Sequence, residues 1–149
     1  MQHSIYTAMG GEPAVRALAE AWHLRCLEDP AVSHAFSHPG HPHHLDRLTA
    51  YWAETLGGPA RYTDAIASEE FVLRMHSGNG VHEQMDERAI SCFLQAMDDA
   101  ALPRDARLRR TLTEWFRWAT KSMSAYPDSP DDVPDGLAMP KWAWSGPTP

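Results

Sequence analysis

The sequence predicts an all-α fold of about six helices. In four long segments apolar residues recur at spacings of three and four, the period of a helix with one buried face. Glycines and prolines stand between these segments, where helices commonly begin and end. Sustained alternation of apolar and polar residues, which marks strands, is absent, and no Asn-Gly turn joins β-branched runs. These patterns favour helices without a sheet.

The composition restricts the class of protein. The chain has 149 residues with 20 acidic and 13 basic side chains, so its formal charge is −7. This length suits one domain, and an acidic chain without a basic run is not typical of proteins that bind nucleic acid. No apolar stretch approaches the roughly 18 residues of a membrane span, so we expect no contact with a membrane.

The cysteines and the N-terminus indicate a cytoplasmic protein. Cys26 and Cys92 lie far apart in the chain and form neither a C-x-x-C nor a C-x-x-C-H motif. This spacing argues against a zinc knuckle and against covalently attached haem, and we expect two buried, reduced thiols. The first six residues lack the charged and then apolar pattern of a signal peptide.

The first 30 residues predict two helices. A short helix from Ser4 to Met9 ends at Gly10-Gly11. The next begins near Pro13, which a first turn tolerates because the missing N–H has no partner there, and it ends near Asp29-Pro30. His23 lies beside its apolar stripe. That stripe consists of Val15, Leu18, Ala19, Trp22 and Cys26.

A histidine-rich run follows, with four histidines in the eight residues from Ser37 to His44. The run is either a zinc or nickel cluster or a solvated loop and helix start. Zinc sites need fixed tetrahedral geometry, and two prolines and a glycine interrupt this run, which favours the loop. We therefore expect surface positions for His38, His41, His43 and the later His82.

The middle of the chain predicts one helix, whose stripe is Leu45, Leu48, Trp52 and Leu56 and which Gly57-Gly58-Pro59 ends. His44 lies four residues before Leu48 and shares its face, so its imidazole is expected to point inward. Residues 59–70 have no period and are predicted to form a loop. One or two turns follow from Phe71 to His76, ahead of Gly78-Asn79-Gly80.

The last third predicts two long helices and an irregular tail. The first runs from Asp86 to Ala101, and Asp105 caps the second, which carries an apolar stripe. Residues 127–149 hold six prolines and four aspartates, which exclude a regular element. Because this segment also contains Trp142 and Trp144, we expect part of it to pack on the helices. The predicted organisation is a domain over residues 1–126 and a tail over 127–149.

His76 is a candidate metal ligand. A neutral imidazole suits iron, zinc or copper. By itself, a histidine at a helix end is more simply explained by a hydrogen bond to a carbonyl. The surrounding landmarks are a Gly-Gly turn after a very short first helix, Gly57-Gly58-Pro59, and Leu73-Arg74-Met75-His76. A long helix then carries Cys92-Phe93.

In this order the landmarks resemble the truncated haemoglobins, and among them the second group, over residues 4 to about 124. The resemblance implies a two-over-two α-helical sandwich around non-covalent haem b (iron protoporphyrin IX), with residues 127–149 as an irregular extension. The family's proximal histidine falls on His76. The aromatic residue that stacks on the porphyrin edge falls on Phe36.

The resemblance also assigns the opposite, distal side of the haem. Its first polar position falls on His44, the apolar residue over the iron on Leu48, and the residue of the second helix that contacts bound ligand on His23. A haem propionate would meet Arg47 or Arg74. Phe36, Leu48 and Trp52 would line the pocket and exclude water.

Two positions depart from the family pattern. His23 stands where the second group usually has tyrosine, and Ala89 stands where a large tryptophan is expected thirteen residues after His76. The usual hydrogen bonds to bound oxygen are therefore not present in their usual form. We hypothesise that Ala89 leaves space for a ligand larger than oxygen, which would suit an enzyme.

Three functions follow from these assignments. The first is a haem protein that binds oxygen, nitric oxide or carbon monoxide as carrier, sensor or scavenger, with the alternative that His44 itself binds the iron. The second is a haem enzyme with peroxidase-like, nitric-oxide-detoxifying or biosynthetic oxidation activity. Without a flavin or nicotinamide fingerprint, its electrons would come from a donor protein. The third is a haem-free helical protein with a zinc-type histidine site.

Overall fold

The computed structural model describes residues 3–33 and 43–148. Within these ranges the chain is mostly helical, as predicted. Phe36, His38 and His41 lie outside the described residues. The helices are α1 Ile5–Met9, α2 Glu12–Glu28, α3 His44–Thr55, α4 Arg61–Ala65, α5 Glu69–His76, α6 Glu83–Asp99 and α7 Ala106–Met123.

The helix ends follow the expected capping chemistry. The Ser4 hydroxyl accepts the Thr7 amide at the start of α1, and the Asp105 carboxylate accepts the Leu108 amide at the start of α7. Gly10 ends α1 with a φ of 121°, a conformation that favours glycine. The predicted ends of α1 and the predicted cap of α7 are thus confirmed.

The core lies where α2 packs against α3 and α6, and where α6 packs against α7. Its centre is a cluster of five aromatic rings. Phe93 and Phe116 are stacked with ring centroids 4.2 Å apart, and Trp52 meets Trp115 edge-on at 5.5 Å. Trp22 joins the cluster from α2, 5.5 Å from Trp52. This cluster ties the helix that carries His44 to the three other long helices.

The predicted loop over residues 59–70 is wrong. The structure places α4 at Arg61–Ala65 in this range and begins α5 at Glu69. The buried Glu54 carboxylate accepts the Thr63 amide at 2.9 Å and the Thr63 hydroxyl at 2.6 Å. A five-residue helix is too short to show a periodic pattern, and a contact from another helix stabilises it.

The predicted absence of regular structure in the tail is also wrong. A 3-10 turn spans Pro130–Asp132, and two antiparallel strands, β1 Lys141–Ala143 and β2 Gly146–Thr148, place Trp142 opposite Pro147. Met139 and Trp142 are buried in the main core. Strands of three residues are too short for apolar alternation to be visible in sequence.

Within the described ranges, no helix combines the length and the apolar character needed to cross a membrane.

Candidate functional site

His76 ends α5, and its ring is anchored by its own helix. The Nδ1 atom lies 2.8 Å from the carbonyl oxygen of Val72, one turn earlier. A carbonyl oxygen can only accept, so Nδ1 carries the hydrogen. In the neutral ring Nε2 then keeps its lone pair, which makes it the atom available to a metal.

The surroundings of His76 keep its ring neutral. The side chain has accessible surface, yet burial by the surrounding protein lowers its pKa, against the Val72 hydrogen bond, and the nearby His82 lowers it further. A neutral imidazole is the form that binds metals.

Two further imidazoles lie near His76. His23 on α2 and His44 at the start of α3 are half-buried, with ring centroids 5.2 Å apart. Burial lowers the pKa of both; His23 and His76 lower that of His44 further. Such electrostatic effects act over short distances, so the fold brings three residues from α2, α3 and α5 together.

The other predicted pocket residues on α3 divide between the core and its edge. Trp52 is only 5% exposed and belongs to the aromatic cluster in the main core. Leu48 is partly buried against the same core. Arg47 is partly buried, and its charge opposes the rise that burial causes in the pKa of Tyr62.

Arg74 has partners in the tail. Its Nη2 donates to the Val133 carbonyl oxygen at 3.2 Å and forms an ion pair with the Asp135 carboxylate. Of the two arginines predicted to meet a propionate, Arg74 is therefore committed to residues 133–135, while Arg47 has no ion pair with another described residue.

Sequence reasoning missed the role of Trp22. Its indole N–H donates to the Ala89 carbonyl oxygen at 3.0 Å, and both residues pack on the small cluster of Cys26, Val32 and Cys92. Trp22 stood in the predicted stripe of α2 and directly precedes His23, but nothing in the sequence linked it to Ala89. The Trp22 indole therefore lies next to Ala89, the position on α6 where the resemblance led us to expect a tryptophan.

The expectation that His82 lies on the surface is wrong. Its side chain is 20% exposed, and its Nδ1 lies 2.8 Å from one Asp86 carboxylate oxygen. The other Asp86 oxygen accepts the Ser124 hydroxyl at 3.0 Å. His82 is thus held in place on the same side of the molecule as His76.

His76 offers a metal one anchored imidazole. Among residues 3–33 and 43–148, no group of three or more His, Cys, Asp or Glu side chains is placed to hold a metal ion. Iron in porphyrin needs few ligands from a protein, because the porphyrin nitrogens supply four of them. The single anchored imidazole fits such a group.

Comparison with known proteins agrees with this geometry. Residues 4–122 match the bacterial-like globin family, which implies a haem cofactor. The fold is similar to that of a group II truncated haemoglobin from Bacillus anthracis, with a TM-score of 0.74 and 21% identity, over 87% of this chain and 96% of that one.

Two other solved structures are similar. A thermostable haemoglobin from the actinobacterium Thermobifida fusca has a TM-score of 0.67 and 23% identity, covering 91% of this chain and all of that one. A truncated oxygen-avid haemoglobin from Bacillus subtilis has a TM-score of 0.68 and 19% identity, covering 82% and 99%. The predicted all-α fold of a truncated globin is confirmed, and the chain belongs to the bacterial-like globin family.

Proposed function

We propose that the protein holds haem b through Nε2 of His76 and binds oxygen or another diatomic gas on the side of the haem where His44 and His23 lie. One observation carries the proposal. The hydrogen bond from Nδ1 to the Val72 carbonyl directs the Nε2 lone pair of a neutral ring away from α5. The fold also brings His44 close enough for its pKa to be lowered by His23 and by His76, in addition to the lowering by burial.

When bound through the imidazole of His76, haem would supply an iron with a binding position for a diatomic gas. The chain's residues set the conditions around that position. Leu48 and Trp52 exclude water, and an imidazole N–H from His44 or His23 donates to a ligand that carries partial negative charge. Arg47 would meet a propionate, and Phe36 would stack on the porphyrin edge.

Optical spectra test the proposal. The purified protein should be red-brown, and ferric, ferrous and CO-bound forms should give distinct Soret bands. His76→Gly should lose the normal ferrous spectrum and regain it when imidazole is added. His3→Gly is the matched control, because it removes an exposed histidine that lies outside the proposed site. An unchanged spectrum for His76→Gly would exclude His76 as the ligand.

The same spectra separate two coordination states. A resting ferric protein in which His44 binds the iron should be low-spin and six-coordinate, and His44→Leu should make it five- or water-coordinate. A protein with an open position should show little change in spin state on that substitution. The proposal of His76 as the anchor holds in both cases.

The histidine pair supports a second candidate, a haem enzyme that uses the same pocket. Two neutral imidazoles with ring centroids 5.2 Å apart can accept a proton from a bound substrate as general bases and return that proton in a later step as general acids. Peroxidase-like chemistry, nitric oxide removal or a biosynthetic oxidation would each use such a pair. Electrons would come from a donor protein.

Turnover separates the two candidates. An enzyme should consume peroxide or nitric oxide continuously with a reductant, and His44→Leu should slow it by about 100-fold or more, the usual contribution of a general acid. A carrier should show slow autoxidation and no turnover. If His44→Leu leaves turnover unchanged, the histidine pair does not act in catalysis.

A further inference from the structure

The segment after α7 lies against the helix that carries His76 and against the loop that follows it. We propose that residues 124–137, here called the tail strap, are a positioning element that sets the direction of the His76 imidazole. The proposal rests on the proposed function in one respect, namely that Nε2 of His76 is the metal-binding atom. The match to the globin family ends at residue 122, before the strap begins.

The strap first contacts the loop after His76. The Gly78 amide donates to the Tyr126 carbonyl oxygen at 3.0 Å, and the Gly80 amide donates to the Pro127 carbonyl oxygen at 2.9 Å. Both glycines have positive φ, 78° and 73°, so this path of the loop needs glycine. A Cβ on Gly78 would lie 2.8 Å from Cδ of Pro130, which shows how closely the strap approaches.

The strap then contacts α5 itself. The Leu137 amide donates to the Glu70 carboxylate at 3.0 Å, six residues before His76. Arg74, two residues before His76, donates to the carbonyl oxygen of the buried Val133 and pairs with Asp135. The strap is thus attached to both turns of the helix that ends at His76.

A third attachment lies on the far side of the loop. The Ser124 hydroxyl donates to Asp86, and the other oxygen of that carboxylate bonds His82, at the start of α6. The loop from Ser77 to His82 therefore has a strap contact near its beginning, its middle and its end.

These attachments matter because α5 is short and His76 is its last residue. A helix of eight residues is marginal by itself, and helix ends fray. The Nδ1 bond to Val72 requires the last turn to be closed. When the strap holds that turn, Nδ1 keeps its hydrogen and Nε2 keeps a fixed direction. Arg74 and Glu70 are therefore positioning residues for His76.

The test uses the full-length protein. Arg74→Ala and Glu70→Ala remove strap contacts, while Glu70→Gln keeps an oxygen that can accept the Leu137 amide. Asp135→Asn is a mild variant of a side chain that is 91% exposed, so it leaves folding intact. Arg25→Ala is the matched control, because the Arg25–Asp99 pair is similarly exposed, at 40% against 38% for Arg74, and lies between α2 and α6.

Two measurements on haem-free protein decide the question. Amide exchange at Gly78 and Gly80 should be about five- to tenfold faster in Arg74→Ala and Glu70→Ala, the effect of losing one hydrogen bond. The imidazole ¹⁵N shifts of His76 should move from the Nδ1–H form toward an average of both tautomers. Asp135→Asn should change both in the same direction, and Glu70→Gln and Arg25→Ala should match wild type.

In the haem-loaded protein, the iron–imidazole stretching band should shift or broaden in Arg74→Ala and Glu70→Ala but not in Arg25→Ala. The proposal would be overturned if Arg74→Ala, Glu70→Ala and Asp135→Asn all kept the wild-type ¹⁵N shifts of His76 and the wild-type amide exchange at Gly78 and Gly80. Failure of the proposed function would look different, because wild-type protein would then take up no haem. The measurements on haem-free protein would still test whether the tail strap sets the direction of the His76 imidazole.

Discussion

The Trp22 indole N–H donates a hydrogen bond to the Ala89 carbonyl oxygen at a distance of 3.0 Å. This bond joins α2 to α6 beside the histidine pair, because Trp22 directly precedes His23. Trp22 and Ala89 also pack on the same small cluster of Cys26, Val32 and Cys92. An indole from α2 therefore lies at the backbone of Ala89, where the sequence by itself suggested free space.

Ala89→Trp should therefore overpack this region. A second indole has to displace Trp22 or the cluster of Cys26, Val32 and Cys92, and overpacking of this kind costs about 1–3 kcal/mol of unfolding free energy. Urea denaturation of the haem-free protein measures the loss, with Ala89→Ser as a control of similar size. Unchanged stability would mean that Trp22 leaves room for a second indole.

The same variant tests ligand access in the haem-loaded protein. If Ala89 provides the space for a large ligand, Ala89→Trp should block imidazole binding and largely preserve CO binding. Equilibrium titrations with the two ligands measure this difference. Equal loss of both affinities would refute the idea that Ala89 sets the size limit of the pocket.

Stability of the haem-free protein should fall below about pH 6.5, the ordinary pKa of histidine. Burial lowers the pKa of His23, His44 and His76 in the folded state. As the pH falls through 6.5, the unfolded chain gains protons that the folded protein binds less well, so the unfolding free energy decreases. Above pH 6.5 this contribution is complete.

Urea denaturation at pH 7.5 and about pH 5.5 measures the effect. His44→Gln should weaken the pH dependence, because one buried imidazole no longer titrates. His3→Gln changes an exposed histidine and should retain the wild-type dependence. A His44→Gln protein with the full wild-type pH dependence would show that His44 is not desolvated.

Tyr51→Phe should destabilise the start of α5. The Tyr51 hydroxyl lies 2.7 and 3.0 Å from the two oxygens of Glu69, a carboxylate that is 4% exposed. Losing this donor should cost about 1–3 kcal/mol at pH 7. Tyr62→Phe is a suitable control, since the Tyr62 hydroxyl makes no hydrogen bond with another described residue and should cost less.

The cost of Tyr51→Phe should also depend on pH. Burial raises the pKa of Glu69, and the hydrogen bond from Tyr51 opposes that rise. As the pH falls through the raised pKa, the buried Glu69 carboxylate becomes a neutral carboxyl group. A buried neutral carboxyl depends less on a hydrogen-bond donor than a buried carboxylate does, so removing the Tyr51 hydroxyl then costs less. The difference between variant and wild type should therefore be smaller at about pH 4.5 than at pH 7. A constant difference would contradict this origin.

Gly78→Ala and Gly80→Ala form a matched pair. Both backbones have positive φ, so each alanine should cost about 1–2 kcal/mol of strain. Only the Gly78 position would also place its Cβ against Pro130, whereas nothing lies within 4 Å at Gly80. Thermal unfolding should show the larger loss for Gly78→Ala. Equal losses would mean that Pro130 does not pack on the loop.

The long helices were predictable because each has three or more turns, over which one buried face repeats. Short α4 and the strands around Trp142 carry no such pattern, since α4 is held by the contact between Glu54 and Thr63 and the hairpin by burial of Trp142.

The site was partly predictable. His23 and His44 are neighbours and His76 acts on the pKa of His44, while the roles that the resemblance assigns to the three histidines stay predictions. Two other contacts depend on tertiary packing. Trp22 reaches Ala89 across 67 positions, and Arg74 reaches Asp135 across 61. No local pattern encodes which charged or aromatic side chain another helix or the tail will meet.

The bonds from Gly78 and Gly80 to Tyr126 and Pro127 join two segments that leave the ribosome at different times. At roughly 5–20 residues per second, the loop after His76 is made some seconds before its partners. During that interval a nascent chain contains the residues of α5 but lacks the contacts that hold the last turn of this helix. These hydrogen bonds around the loop after His76 consequently form late in biosynthesis, and haem that bound earlier would bind a site that lacks them.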